Sequence, residues 1–263
     1  MPVAFLVARQ RSGTGALISI LHHHSDIASV GEVFHPDAPD VQGSRDYFPF
    51  LKDLLTKDPL LALPGAARDR FDAYIAHLEK LYPDQLILID AKYRSLSHFN
   101  GEWASPGEAP QIIHIIKERN IPVLHLTRKN FVATWVSGRL AEANRRWHAR
   151  REDEVKIKKI RIDPDALWNF LQLTALDVKI IRRGLLNYDH VANLAYERLL
   201  KPDQTLTNHT KQQINKVLKL SGSIDAATPL IKQAPVNVRD AIENLSEIEE
   251  RLKDTAFERM LAY

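Results

Sequence analysis

The sequence contains no cysteine among its 263 residues. This absence excludes disulfide bonds, thiolate catalysis and cysteine-based zinc sites. The apolar run Val3–Ala8 is too short to span a membrane. It also lacks the basic region and the small-residue cleavage site of a signal peptide. We therefore interpret this run as a buried strand, and we expect a cytoplasmic protein with no transmembrane segment.

Neither sign of charge dominates: the sequence has 36 basic and 33 acidic residues, which gives a formal net charge of +3. Such a balance suits a pocket for an anionic ligand as well as non-specific binding to a polyanion. The single basic run, 156–161, is interpreted as a solvated or ligand-facing loop. No nucleic-acid recognition module is visible, so no specific nucleic-acid partner is expected.

Apolar segments alternate with amphipathic ones along the chain, and low-complexity linkers and internal repeats are lacking. The predicted strands are 3–8, 86–90, 122–126 and 191–195. The predicted helices are 14–23, 46–55, 66–81, 109–120, 131–147 and 165–185, with more helix from 208 onwards and a break near 234–235. This alternation predicts a three-layer α/β domain, residues 1–263, with a central, mainly parallel sheet flanked by helices.

The turn after the first strand has the composition of an anion cradle. Glycine allows backbone N–H groups to converge at the start of the next helix, where the helix dipole also favours an anion. Arginine grips phosphate oxygens with a forked geometry. The spacing and lysine of a Walker A loop are absent, and the alternative is an ordinary turn in which Thr14 is the N-cap. The residues of the predicted cradle are Arg9, Gln10, Arg11, Ser12, Gly13 and Thr14.

Three further segments follow this RSGT turn in order: GEVFHP at 31–36, LTR at 126–128 leading to Ser137, and YERL at 196–199. With these four features the chain resembles the PAPS-dependent sulfotransferases, and most of all the bacterial carbohydrate type that includes enzymes acting on trehalose. The resemblance covers nearly the whole chain. It implies a P-loop-like fold, 3′-phosphoadenosine 5′-phosphosulfate (PAPS) as sulfuryl donor, 3′-phosphoadenosine 5′-phosphate (PAP) as product, and a carbohydrate or glycolipid acceptor.

The resemblance also implies roles for individual residues. The turn 9–14 would bind the 5′-phosphosulfate, and Arg128 with Ser137 would bind the 3′-phosphate. The sequence departs from the cytosolic members at two places. Arg11 stands where those enzymes have lysine, and Lys92 matches their Lys-x-His segment, but Arg94 stands where they have the histidine base. Arginine stays protonated and cannot be a base.

Sulfuryl transfer requires cations near the leaving oxygen and a group that accepts the acceptor's proton. We expect Arg11 to stabilise the leaving 5′-phosphate, with Lys92 as the second choice. Glu32 is the predicted base and His35 the competing one. No metal is expected: adjacent residues on a helix diverge, so the histidines at 22–24 could hardly bind one ion together.

Several questions stay open at this level. Trp147 suits either stacking on adenine or a sugar, or a half-buried place in the core. The alternative enzyme is a small-molecule kinase, with Asp90 as a magnesium ligand. The third hypothesis is a non-enzymatic polyanion binder. The sequence identifies neither the small-molecule or carbohydrate acceptor nor the oligomeric state, and a homo-oligomer is left open.

Overall fold

The computed structural model describes residues 2–37, 41, 43–99, 107–231 and 237–262. Its centre is a five-stranded sheet with all strands parallel and the order β2-β3-β1-β4-β5. The strands are β1 (Val3–Ala8), β2 (Ile27–Gly31), β3 (Leu86–Lys92), β4 (Val123–Thr127) and β5 (Val191–Ala195). The predicted parallel sheet is therefore confirmed.

Nine α-helices lie within the described residues, together with short 3-10 turns. They are α1 (Thr14–Leu21), α2 (Tyr47–Lys57), α3 (Ala67–Leu81), α4 (Tyr93–His98), α5 (Gln111–Glu118), α6 (Phe131–Ala143), α7 (Pro164–Gly184), α8 (Asn208–Leu218) and α9 (Leu245–Leu252). Side chains at the N-caps of α6, α7 and α8 accept hydrogen bonds from first-turn N–H groups. These caps fix where three helices begin.

The sheet is covered on both faces, which explains why β1 is apolar throughout. Alternate side chains of β1 enter different clusters: Val3, Phe5 and Val7 pack in one, while Ala4 and Leu6 pack in the other. Helices α3 and α5 complete the first cluster, and α1 and α8 complete the second. A third apolar cluster joins α6, the first half of α7, and α9. No helix in the described ranges is both long enough and apolar enough to cross a bilayer.

The strand order places the turn after β1 at the middle of the sheet edge. From β1 the chain runs to the β2 edge, returns through β3, and then crosses β1 to form β4 and β5. Ligands of open α/β sheets bind outside the carboxyl ends of the strands, where the direction of winding reverses. This edge is therefore where a ligand site is expected.

Two of the sequence predictions are wrong in detail. Strand β2 was missed, because its sequence IASVG is short and its apolar residues are interrupted by Ser29 and end at Gly31. The predicted helix 131–147 ends at Ala143. There Arg145 takes a left-handed φ of 49°. The Asn144 side chain also bonds to the backbone of Lys156 and Ile157, which fixes the chain reversal. The predicted break at 234–235 lies outside the described residues.

Candidate active site

The turn between β1 and α1 leaves the start of the helix open. Arg11 and Gly13 have left-handed φ values of 64° and 93°. Gly13 is the N-cap residue, and no side chain caps α1. The interpretation of Thr14 as N-cap is therefore wrong. Ser12 is buried and Gln10 is exposed. Uncapped N–H groups at a helix start favour an anion.

Gly13 is in contact with an aromatic ring from the far edge of the sheet. A side chain at this position would overlap the ring of Tyr196, since an ideal Cβ would lie 2.8 Å from Tyr196 Cε2. Tyr196 immediately follows β5, and the guanidinium of Arg128 lies 4.6 Å above its ring centroid. Arg128 also donates to the Arg11 carbonyl at 3.3 Å. Glycine at 13 thus permits a Gly–Tyr–Arg stack that fixes Arg128 beside the turn.

The side chain of Arg11 lies on the same side as Arg128. It donates to the hydroxyl of Ser137 through Nε (3.2 Å) and through a terminal nitrogen (3.0 Å). Its other terminal nitrogen donates to the Trp147 carbonyl at 2.6 Å. Arg11 thus contacts both members of the predicted pair: its carbonyl accepts from Arg128, and its guanidinium donates to Ser137.

Arg11 and Arg128 form a concentration of positive charge. Neither forms an ion pair with any described residue. Burial, and then the charge of Arg128, lower the pKa of Arg11. Burial also lowers the pKa of Arg128, although Tyr196 and Glu197 act in the opposite direction. Two partly desolvated cations that repel each other favour an anion between them.

A second cluster surrounds Lys92 at the end of β3. Its ammonium donates to Thr14 Oγ1 and to Asp90 Oδ2, both at 2.6 Å. Glu32 Oε1 lies 3.4 Å from the same ammonium. Asp90 is buried, its Oδ1 has no partner among the described residues, and burial raises its pKa to about 6 in spite of Lys92. Lys92 is thus held at the start of α1.

Glu32 reaches this cluster because β2, the strand that sequence analysis missed, ends just before it. Gly31 has a φ of 76° and pairs out of register with β3. The Glu32 side chain is 41% exposed beside Lys92. His35, the competing base, is 54% exposed, and its Nδ1 accepts a hydrogen bond from the Asp37 amide. The geometry brings Glu32 to the site and leaves His35 in a loop.

Arg9 faces away from Arg11. It forms an ion pair with Asp177 of α7, and its guanidinium lies 4.5 Å from the Phe170 ring centroid. Burial lowers its pKa and Asp177 raises it. The structure therefore separates Arg9 from the Arg11–Arg128 group, although sequence analysis placed both arginines in one cradle.

Two residues after α6 complete the rim of the site. Trp147 is 57% exposed, so its interpretation as a core residue is wrong. Its ring centroid lies 5.8 Å from the Arg11 guanidinium. The next residue, His148, packs on Gly15 in the first turn of α1. Sequence analysis missed both His148 and Tyr196 as individual site residues, although Tyr196 begins the YERL segment that it noted and His148 directly follows Trp147.

Other segments noted in the sequence lie apart from these clusters. The histidines at 22–24 line a surface cavity with Arg45, Tyr82 and Gln85 at the opposite end of α1. The basic run is exposed at 156–159, and Arg161 pairs with Glu247. The described ranges contain no group of three histidine or acidic side chains suited to a metal.

Comparison with known proteins assigns no family, since no family model and no curated protein matches this chain.

Proposed function

We propose that this protein is a PAPS-dependent sulfotransferase with a P-loop-like fold. The proposal depends on one observation: Arg11, Arg128 and Ser137 converge next to an uncapped helix start at the centre of the sheet edge. These residues come from three separate segments of the sequence. Arg11 and Arg128, which form no ion pair with a carboxylate among the described residues, suit one anionic group. The N–H groups at the uncapped start of α1 suit a second, separate anionic group.

The two clusters match the two ends of such a ligand. Arg128, Ser137 and Arg11 would bind the 3′-phosphate. The turn 12–14 and Lys92 would bind the 5′-phosphosulfate, because the Lys92 ammonium lies on Thr14 at the start of α1. Asp90 and Glu32 offset the charge of Lys92, so these three side chains give this end no net positive charge, unlike the other end.

The chain can assist each part of the transfer. PAPS supplies an activated sulfuryl group. As the acceptor oxygen bonds to sulfur, the bond from sulfur to the 5′-phosphate oxygen breaks, and that oxygen gains negative charge. Lys92 is the cation nearest the start of α1, and Arg11 is turned toward Ser137. We therefore place Lys92 first and Arg11 second in stabilising the leaving group.

Glu32 takes the proton that the acceptor hydroxyl loses. Its carboxylate is next to Lys92 and exposed, so an acceptor entering from solvent can reach it. Trp147 provides an exposed ring at the same mouth, suited to stacking on a sugar or on adenine. A carbohydrate or glycolipid acceptor, residues 1–263 as one catalytic domain and a cytoplasmic location complete the proposal.

A kinase is the second candidate, because Asp90 is an acidic residue in the strand beside the turn. A magnesium ion there would have to displace Lys92, which lies 2.6 Å from Asp90 Oδ2. The sulfotransferase proposal agrees better with the Lys92–Asp90 ion pair, because it requires no magnesium ion at Asp90.

A thermal-shift experiment separates the two candidates. PAP without metal should raise the melting temperature, because it binds the native state. ATP with magnesium should raise it less at equal concentration, since ATP has no 3′-phosphate for Arg128. Turnover with PAPS should persist in excess EDTA. Stabilisation by ATP-magnesium alone, or activity that EDTA removes and magnesium restores, would favour the kinase.

A further inference from the structure

The imidazole of His148 lies directly against the start of α1. If Gly15 carried a Cβ atom, that atom would be 2.8 Å from His148 Cε1 and 3.1 Å from His148 Nδ1. Contacts of 2.8 Å are too close for a real side chain, so the ring occupies space that only glycine leaves open. Gly15 belongs to the first turn of the helix whose start faces the proposed 5′-phosphosulfate.

The backbone on both sides of His148 is fixed. The Trp147 carbonyl accepts the 2.6 Å bond from Arg11, and the Ala149 carbonyl accepts from the Ile231 amide at 2.9 Å. Ala149 is buried, whereas the His148 side chain is exposed. A well-anchored backbone thus presents an accessible ring, which has no hydrogen-bond partner among the described residues.

The charges around the ring favour a neutral imidazole. Partial burial lowers the pKa of His148, followed by the positive charges of Arg11 and Lys92. Glu32 acts in the opposite direction, and Arg150 adds a small lowering effect. A neutral imidazole has a free lone pair, and the Glu32 carboxylate would stabilise the cation formed when that lone pair takes a proton.

We propose that His148 is a second catalytic residue, which shares with Glu32 the task of accepting the proton from the acceptor hydroxyl. The inference rests on the proposed sulfotransferase function. When the acceptor oxygen bonds to sulfur, its proton moves either to the Glu32 carboxylate or to an imidazole nitrogen of His148, and the electron pair of the breaking bond stays on the 5′-phosphate oxygen. The imidazolium then releases the proton to solvent, to which it is exposed.

The test is turnover of PAPS by His148→Ala, alone and combined with Glu32→Gln, with His209→Ala as the control. His209 is exposed on α8, outside the site. We expect the double variant to fall roughly tenfold or more below Glu32→Gln alone, and His148→Ala alone to lose less, because Glu32 still accepts the proton in it. Added imidazole should restore part of the lost rate in the double variant, increasingly as pH rises through the pKa of free imidazole. His209→Ala should behave as wild type.

Three outcomes overturn the inference. The first is a kcat for His148→Ala within twofold of wild type in both backgrounds. The second is a loss that imidazole does not restore, which would mean that His148 is only structural. If PAP still raises the melting temperature of every variant in these first two outcomes, only the role of His148 is overturned, and the proposed function stands. The third, no response to PAP in the wild type, overturns both proposals.

Gly15→Ala provides a second measurement. The added methyl group would displace the His148 ring, so kcat should fall as in His148→Ala. Combining the two substitutions should then cost nothing further, because both remove the same group. Additive losses would contradict the inference.

Discussion

Arg11 donates two hydrogen bonds, of 3.2 and 3.0 Å, to the hydroxyl of Ser137, which is 126 residues away in the sequence. The pair connects the turn after β1 to the middle of α6. Ser137 is buried, so few other hydrogen-bond partners are within reach of its hydroxyl. Because the Ser137 oxygen accepts both bonds, the hydroxyl hydrogen remains available to an anion. This connection joins two distant segments within the proposed 3′-phosphate site.

The first prediction concerns Arg128. Substitution of Arg128 by alanine should weaken PAP binding by about 1.5–3 kcal/mol, since a charge-assisted contact to phosphate is lost. Calorimetric titration with PAP measures the change. Arg139→Ala is the matched control, because Arg139 lies on α6 but is paired with Glu142. Unchanged affinity in Arg128→Ala would show that the 3′-phosphate binds elsewhere.

Ser137→Ala should lower PAP affinity by less than Arg128→Ala does, since the serine hydroxyl donates a single hydrogen bond to the phosphate and carries no charge itself. Its effect should shrink in an Arg11→Ala background, because Ser137 then no longer orients Arg11. The same titration measures both values, and Ser97→Ala, at an exposed position of α4, is the control. If the effects of the two substitutions add fully, Arg11 and Ser137 act independently.

The sequence predicted these clusters only in part. The turn 9–14 and Arg128 lie next to strand ends that hydrophobic patterns reveal, whereas Ser137, in the middle of α6, was noted only through the family resemblance. The sequence could not show that the side chain of Arg9 lies apart from that of Arg11, because the ion-pair partner of Arg9, Asp177, is 168 residues away in the sequence. His148 and Tyr196 depend on contacts with glycines of the first loop and helix, and local patterns do not report such contacts.

Gly13→Ala should destabilise the fold and abolish PAP binding. A left-handed conformation costs a residue with a side chain about 1–2 kcal/mol, and the methyl group would also displace the Tyr196 ring. Chemical denaturation measures the stability. Gly65→Ala is the control, because an added Cβ there meets no atom within 4 Å. Normal PAP affinity in Gly13→Ala would contradict the Gly–Tyr–Arg stack.

Asp90 should make stability depend on pH. Burial raises its pKa in the native state from 3.8 to about 6. Between these values the native state binds more protons than the unfolded state, so this contribution to stability is lost as pH rises through about 6. Asp90→Asn cannot titrate, and the difference in unfolding free energy between variant and wild type should shift in favour of the variant as pH increases. Urea denaturation at several pH values measures it, and a constant difference would mean that Asp90 ionises normally.

Glu32→Gln should keep PAP affinity but lower kcat, because the amide preserves shape and cannot accept a proton. Losing a general base lowers the rate on the order of 10²–10⁴-fold, and with His148 present we expect the lower end. Arg11→Ala should lower both kcat and cofactor affinity, since it contacts the ligand in ground and transition states. Steady-state kinetics with PAPS separates the two patterns.

His35→Ala is the control for Glu32→Gln, since His35 lies in the same segment but is turned to Asp37. Its kcat should be close to wild type. A large loss in His35→Ala with no loss in Glu32→Gln would make His35 the base and would show that the loop changes shape when substrates bind.

The fold was easier to predict than the site. Strands β1 and β5 were located with their observed ends, because VAFLVA is apolar throughout and stops at Arg9, and VANLA is interrupted only by Asn193. Strand β2 was not, since only Ile27, Ala28 and Val30 of its residues are apolar and buried. The end of α6 is set by Asn144 reaching Ile157, a contact between distant segments that helical periodicity cannot indicate.

The central position of β1 has a consequence for biosynthesis. Its register pairs Val3 with Ile87 on one side and Phe5 with Val123 on the other. The ribosome therefore releases β1 and the arginine-bearing turn long before either neighbouring strand exists. Non-local pairing of this kind folds slowly, and an apolar strand that waits with two open edges is prone to aggregate. The nascent chain would need shielding until β4 emerges, and only then could the turn acquire its affinity for anions.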